Sequence, residues 1–389
     1  MSGGALRRAR IDGLGLVTAL GAGASTNITG CMKREPERER HTLEMRGEAV
    51  DVPYRSCPAQ TGEEFFAPVG RAVEQALSQA QLKASDHPHL ALFIGSSSYA
   101  IGESERLYAA ALAHDTGDRP ALPVPLPGFG QVSAYLRDTA GLCGPDFLFN
   151  TACTASANAL LAAADWIASG RGDLALVVGV ELRNVTTILG FAGMQLLAAD
   201  IMRPFDARRD GLVLGEGCGA VVLRAASPGD DGVFVAGGAS SCDTFSISTS
   251  NPDGTRIAAV MRDGLSRAGV AAGDILAIKA HGTASPLNDD AEAAGMRQAF
   301  SDLPPFFGLK SHVGHTLGAC GAIETALVAG ALQAGALPPS AGFGEFDERL
   351  GVRPLSESMV VVDGHYMLNF FGFGGNNASV ILEFQRGDV

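Results

Sequence analysis

Strong positive charge is what this chain most plainly lacks. Its 389 residues carry 29 Lys and Arg against 42 Asp and Glu, a net charge of −13. Nothing in those totals supplies the basic face that a nucleic-acid partner needs. Cysteine is sparse: the seven residues form an odd set and none pair as C-x-x-C. A disulfide framework and a zinc knuckle are therefore poor readings, and a reducing, cytoplasmic compartment is expected. No uncharged apolar run of roughly 18 residues has the flanks of a membrane span. The start offers only a faint likeness to a signal peptide. Asp12 interrupts the apolar residues after Arg7-Arg8-Ala9-Arg10, and residues 18–25 hold no clear cleavage site. A first β-strand over 10–18 is the better reading.

Glycine is abundant, with 50 residues, and 46% of the chain is hydrophobic while only 18% is charged. Those proportions imply large buried elements with many tight turns and close backbone contacts. The length exceeds one ordinary core, so two domains or two fused halves are expected. Residues 33–40 (KREPERER) alternate in sign and read as a solvated loop. Helical periodicity covers 66–82 and an apolar strand follows over 89–95. Residues 120–129 hold four prolines and read as an irregular crossing. A βαβ unit comes next: a strand over 146–150, a sharp turn at 151–153, a helix apolar on every face to Ser169, and a strand over 174–180. A second unit runs through strand 275–280, helix 289–300 and strand 306–310. A second all-round apolar helix then spans 317–333 and stops at Gly335. Helices apolar all round belong inside a layered α/β protein. Two such units predict similar halves, 1–228 and 229–389, with the seam at 225–231.

Cys153 sits at the strand-to-helix turn of the first unit. A helix start supplies unpaired N–H groups and partial positive charge, so a lowered thiol pKa and an oxyanion site are expected there. A lone apolar-context Cys ordinarily packs; its companions change that reading. His281 leaves one apolar strand, and His315 lies between another strand and a buried helix. Neutral imidazoles donating from Nε2, each ring oriented by a hydrogen-bond partner, would stabilise a developing enolate. No thiols or carboxylates stand at ligand spacing near either His, so no metal is expected.

Five segments carry a resemblance. They are NTACTAS (150–156), HGTASPLND (281–289), KSHVGHTLGACG (310–321), RPFDARRDG with GEG (203–211 and 215–217), and NFFGFGGNN (369–377). In their order along the chain they resemble the motifs of elongating β-ketoacyl-[acyl carrier protein] synthases of the Cys-His-His type. The resemblance implies the thiolase-like α/β fold, two duplicated βαβαβαββ halves in five layers (αβαβα), normally dimeric. It implies decarboxylative Claisen condensation, with Cys153 acylated from acyl carrier protein and His281 and His315 stabilising the enolate of malonyl-carrier. It also implies that Lys310 orders the second His through a polar network and that Glu324 is a buried supporting carboxylate. The amides of Cys153 and Phe371 would form the oxyanion hole. Phe371 and Phe373 would gate the acyl pocket, against a reading as ordinary core aromatics. Thr283 and Ser285 would line the phosphopantetheine tunnel. No cofactor is implied beyond substrates on the carrier's phosphopantetheine arm.

Departures from the family pattern point to a specialised synthase as readily as a housekeeping one, for fatty acid, polyketide or polyene chains. Phe370 stands where a small polar residue is usual, Gln195 where an Arg is common, and the loop 195–203 is short. Glu63-Glu64 replaces basic residues that face an acidic carrier, which leaves Arg203, Arg208 and Arg209 as candidate carrier contacts. The rival reading is a chain-length or interaction subunit of a heterodimeric synthase, which typically lacks the nucleophile. Homodimer or heterodimer stays open, as do chain length and pathway.

Overall fold

The computed structural model describes residues 7–45, 48–58, 63–113 and 128–387. The proline-rich stretch 120–127 and part of the 58–66 tract lie outside the described residues. The expected first strand is Ala9–Thr18 (β1), and the 66–82 periodicity becomes helix Ala67–Gln79 (α1). Then follow strands Ala91–Gly95 (β2) and Asp146–Phe149 (β3), helix Ala155–Ala168 (α2), and strands Leu174–Glu181 (β4) and Gly217–Ala225 (β5). The second series is Gly232–Cys242 (β6), Thr255–Ala268 (α3), Ile275–Lys279 (β7), Pro286–Ala299 (α4), Phe306–Phe307 (β8), Cys320–Ala334 (α5), Gly364–Phe371 (β9) and Asn376–Gln385 (β10). The strand expected over 306–310 stops early, because Lys310–Val313 is a short helix.

The strands form one sheet in the order β8-β7-β9-β10-β6-β1-β5-β4-β2-β3. Split between β6 and β1, each group of five follows one rule. Counted along the chain, the spatial order is third, second, fourth, fifth, first. The first two junctions are parallel and the last two antiparallel in both groups. The groups join where Ala9–Ile11 pairs antiparallel with Val233–Val235. Helices α2 and α5 touch each other and both groups of strands, α1 packs on β1 and β5, and α3 with α4 beside it packs on β6 and β10. That is the expected five-layer α/β arrangement of thiolase-like proteins.

The central layer depends on small residues. A Cβ at Gly321 of α5 would lie 2.1 Å from the Ala157 amide of α2, and one at Gly179 of β4 would lie 2.7 Å from the Ala319 carbonyl. Any side chain there forces the elements apart. The apolar stretch Leu317–Ala334 is long enough to cross a membrane, but 89% of it is buried inside the protein, so its apolar faces are spent on packing.

Candidate active site

Each central helix begins from the same kind of turn. Ala152 has φ 51° and Leu317 φ 43°, left-handed values that an L side chain tolerates only where its surroundings enforce them. Each opens a single 3₁₀ turn, Ala152–Thr154 and Leu317–Ala319, that runs into α2 and α5 respectively. Glu181, buried at the end of β4, ties the second of these turns to the segment that follows β2. Its carboxylate accepts the Ser97 and Ser98 amides, each at 3.0 Å, and the Gly318 amide at 2.9 Å. Cys153 sits where the two central helices meet, with the Cys320 thiol of α5 donating to its carbonyl at 3.0 Å.

The two histidines converge on that sulfur. His315 Nε2 lies 3.2 Å from Cys153 Sγ, and the His281 and His315 rings meet edge to face with centroids 5.4 Å apart. The His315 backbone is pinned by the Val213 carbonyl at 2.7 Å and the Gly215 amide at 3.1 Å. The His281 and Gly282 amides both donate to the buried Glu292 carboxylate, at 2.7 and 2.8 Å. Neither Nδ1 has a hydrogen-bond partner among the described residues. The expected polar partner for each ring is therefore absent there. Packing orients the rings instead, with His281 also 5.7 Å from the Phe371 ring.

Beneath the rings lies a cluster of buried charge. Lys310 Nζ is 2.8 Å from Glu324 Oε1, and Lys279 Nζ binds the other oxygen of the same carboxylate. No hydrogen bond joins Lys310 to His315 among the described residues, so Lys310 acts on the rings through its charge. Burial and then Lys310 hold both histidines well below the usual imidazole value, so both are neutral near pH 7. The Cys153 thiol departs from expectation: burial pushes it up to about 11, against the pull of Lys310 and of the Phe373 backbone amide. Desolvation of a thiolate at this fully enclosed position outweighs the helix terminus.

The backbone amide that pulls the Cys153 thiol down is that of Phe373, two residues beyond the Phe371 expected for the oxyanion hole. Phe371 is the last residue of β9, paired with Asn377, whereas Phe373 begins the 3₁₀ turn Phe373–Gly375 outside the ladder. The Phe373 ring stacks on Phe191, with centroids 5.5 Å apart and planes 10° apart. Cys153, His281, His315, Phe371, Phe373 and Phe191 share one cavity, with Thr283 and Ser285 also in its lining. Its free space is about 70 Å³, room for a few waters and far too little for an acyl chain.

Other assignments shift. Arg209 is buried between Asp290 and Asp347, so it is a structural ion pair and no carrier contact. Arg203 is held by Asp200, and the more exposed Arg208 by Asp206 and Glu345. Glu63 pairs with Arg71. Phe370 is fully buried, with the Lys279 ammonium 3.6 Å over its ring. Lys279, Glu181, Glu292 and Phe191 went unnoticed in the sequence. Only Lys279 left a signal there, as a lone charge in an apolar strand. Among the described residues no three His, Cys, Asp or Glu side chains converge to hold a metal.

Residues 69–229 match the family model described as "Beta-ketoacyl synthase, N-terminal domain", and residues 233–344 match "Beta-ketoacyl synthase, C-terminal domain". The chain is 30% identical to the 3-oxoacyl-[acyl-carrier-protein] synthase 2 of Rhizobium meliloti (strain 1021), over 98% of this chain and 100% of that one. Among solved structures it superposes on a beta-ketoacyl synthase from Burkholderia phymatum STM815 with TM-score 0.84 and 24% identity, covering 98% and 100% of the two chains. The ishigamide ketosynthase/chain length factor superposes with TM-score 0.83 at 25% identity, covering 98% and 100%.

Proposed function

This chain belongs to the β-ketoacyl synthase family, and from that premise we propose that Cys153 carries the acyl group in a decarboxylative condensation served by His281 and His315. The observation that carries the assignment is the meeting of Cys153 Sγ, His315 Nε2 and the His281 ring in one buried cavity. In the first step the Cys153 sulfur attacks the thioester carbon of an acyl-[acyl carrier protein]. The phosphopantetheine thiol leaves with the proton Cys153 gave up, and His315 is within reach to relay it. Negative charge on the thioester oxygen is received by the amides of Cys153 and Phe373.

Malonyl-carrier then enters past Thr283 and Ser285, which line the route of the phosphopantetheine arm. Its carboxylate leaves as carbon dioxide, and the electrons of the broken C–C bond form an enolate. The neutral imidazoles of His281 and His315 donate to the enolate oxygen. The enolate carbon attacks the Cys153 thioester, the Cys153 sulfur departs, and 3-oxoacyl-carrier is released. Side chains and amides of this chain supply every group the scheme uses. Lys310 and Glu324 set the charge beneath the rings, and Phe371 and Phe373 gate the pocket, with Phe371 also walling His281.

Residues 1–228 and 229–389 act as the two duplicated halves, a reading supported by their common strand order. The partners are acyl carrier protein and a second synthase-like subunit, identical or homologous. An interaction-only subunit is disfavoured by the complete Cys-His-His set. All seven cysteines are unpaired, which suits a reducing compartment.

Intact-protein mass spectrometry with acyl-carrier donors, alongside labelled carbon dioxide release from malonyl-carrier, tests the scheme. Cys153→Ala should fold and gain no acyl mass. His281→Ala and His315→Ala should still load, while carbon dioxide release falls by about 10²–10³-fold. Acyl mass on Cys153→Ala, or histidine variants that lose loading but keep decarboxylation, would sink the assignment.

A further inference from the structure

Lys279 is only 1% exposed, and the condensation scheme leaves it without a task. It is the last residue of β7, and strand alternation sets it on the same face as His281 two positions on. Its Nζ donates to the Glu324 carboxylate on α5 and, at 2.7 Å, to the Asn369 carbonyl on β9. Asn369 stands two residues before Phe371 and four before Phe373. The entry turn of α5 follows directly on His315 and Thr316. One ammonium thus ties together the three elements that deliver His281, His315 and the Phe371–Phe373 loop.

Pairing Glu324 does not require it, since Glu324 already has Lys310 at 2.8 Å. The other buried carboxylate that acts on these ammonium groups, Glu292, is taken up by the His281 and Gly282 amides. Burying a second ammonium is costly, and burial draws the Lys279 pKa down to about 8. A core built for stability alone would place an apolar side chain there.

We propose that Lys279 is a positioning residue for the decarboxylation step, locking the strand that leads to His281 against the central helix that follows His315 and adding its charge beneath the enolate. The proposal rests on the condensation reading above. The charge of Lys279 adds to that of Lys310 in keeping both histidines neutral, so that each imidazole has one N–H to give.

Lys279→Met tests this, because it keeps similar bulk and leaves Lys310 and Glu324 paired one to one. The melting temperature should stay level or rise, and acyl loading of Cys153 should stay within about threefold of wild type. Carbon dioxide release from malonyl-carrier should fall by about 10- to 100-fold, a fraction of what loss of a direct donor causes. Wild-type release by Lys279→Met would overturn the proposal. So would a melting temperature and a loading rate that drop together with release, since that pattern marks a merely structural residue. Lys279→Gln, which keeps an N–H donor for Asn369 without the charge, should show the same split between loading and release. If neither variant folds, the residue is structural and the proposal fails. A wild-type protein that neither loads nor releases carbon dioxide would instead count against the condensation reading itself.

Discussion

At Cys153 two local effects oppose each other, and their balance has a measurable consequence. The turn into α2 and the Phe373 amide favour a thiolate, as does Lys310. Enclosure on all sides disfavours it more, and the thiol rests at about 11. The free thiol is therefore protonated at neutral pH. The thiolate fraction grows about tenfold per pH unit until the pKa is reached. Alkylation of Cys153 by iodoacetamide, followed by peptide mass spectrometry, should accelerate steadily from pH 7 to 10. A plateau near pH 7 would mean that the helix terminus prevails. His315 Nε2, 3.2 Å away, can take up the thiol proton as the sulfur attacks, so its removal should slow loading without abolishing it. The histidines themselves were legible from their strand exits. The orientation of their rings was not, because Phe371 reaches His281 from 90 residues away.

At the scale of elements, the two central helices depend on small residues where they cross. Close crossing of α2 and α5 brings both entry turns to one point, and Gly321 permits it by lacking a Cβ that would overlap the Ala157 amide. The obstacle is backbone, which cannot swing aside. Gly321→Ala should destabilise the protein by about 1–3 kcal/mol or more through overpacking, read as a lower melting temperature. Loading should suffer as well, since the shift displaces the Cys153 turn. Gly273→Ala, with nothing within 4 Å of the new methyl, serves as the control and should melt like wild type. Equal melting of the two variants would show that the helices part more easily than their packing implies. The apolar helices and their βαβ settings were readable from periodicity. The β9–β10 hairpin was noticed only for its glycine-rich link, because its strands are too mixed in pattern to stand out.

At the scale of the molecule, the sheet ends in an exposed edge. β3 is its terminal strand, and Phe147 and Leu148 are 37% and 40% exposed. An apolar edge with free backbone groups invites pairing, and a second synthase-like subunit is the partner this family offers. Analytical ultracentrifugation should find the wild type as a dimer, alone or with a homologous subunit. Leu148→Glu should shift it towards monomer by placing charge in the contact. A variant that dimerises as tightly as wild type would place the interface elsewhere. Of the three arginines considered as carrier contacts, Arg209 is buried and paired with Asp290 and Asp347.

The sequence by itself determined the layered α/β class, the duplicated pattern, the nucleophile turn and the two histidines. Each of those signals is local: apolar periodicity, a turn between strand and helix, a histidine at a strand end. Tertiary structure alone decided which groups meet across long separations. It brought Lys279 to Glu324 and Asn369, which are 45 and 90 residues away. It set the Phe373 amide against the Cys153 thiol, just beyond the end of the ladder at Phe371. It also set the Cys153 thiol high, because desolvation depends on what encloses a group, and the enclosing residues come from both halves of the chain.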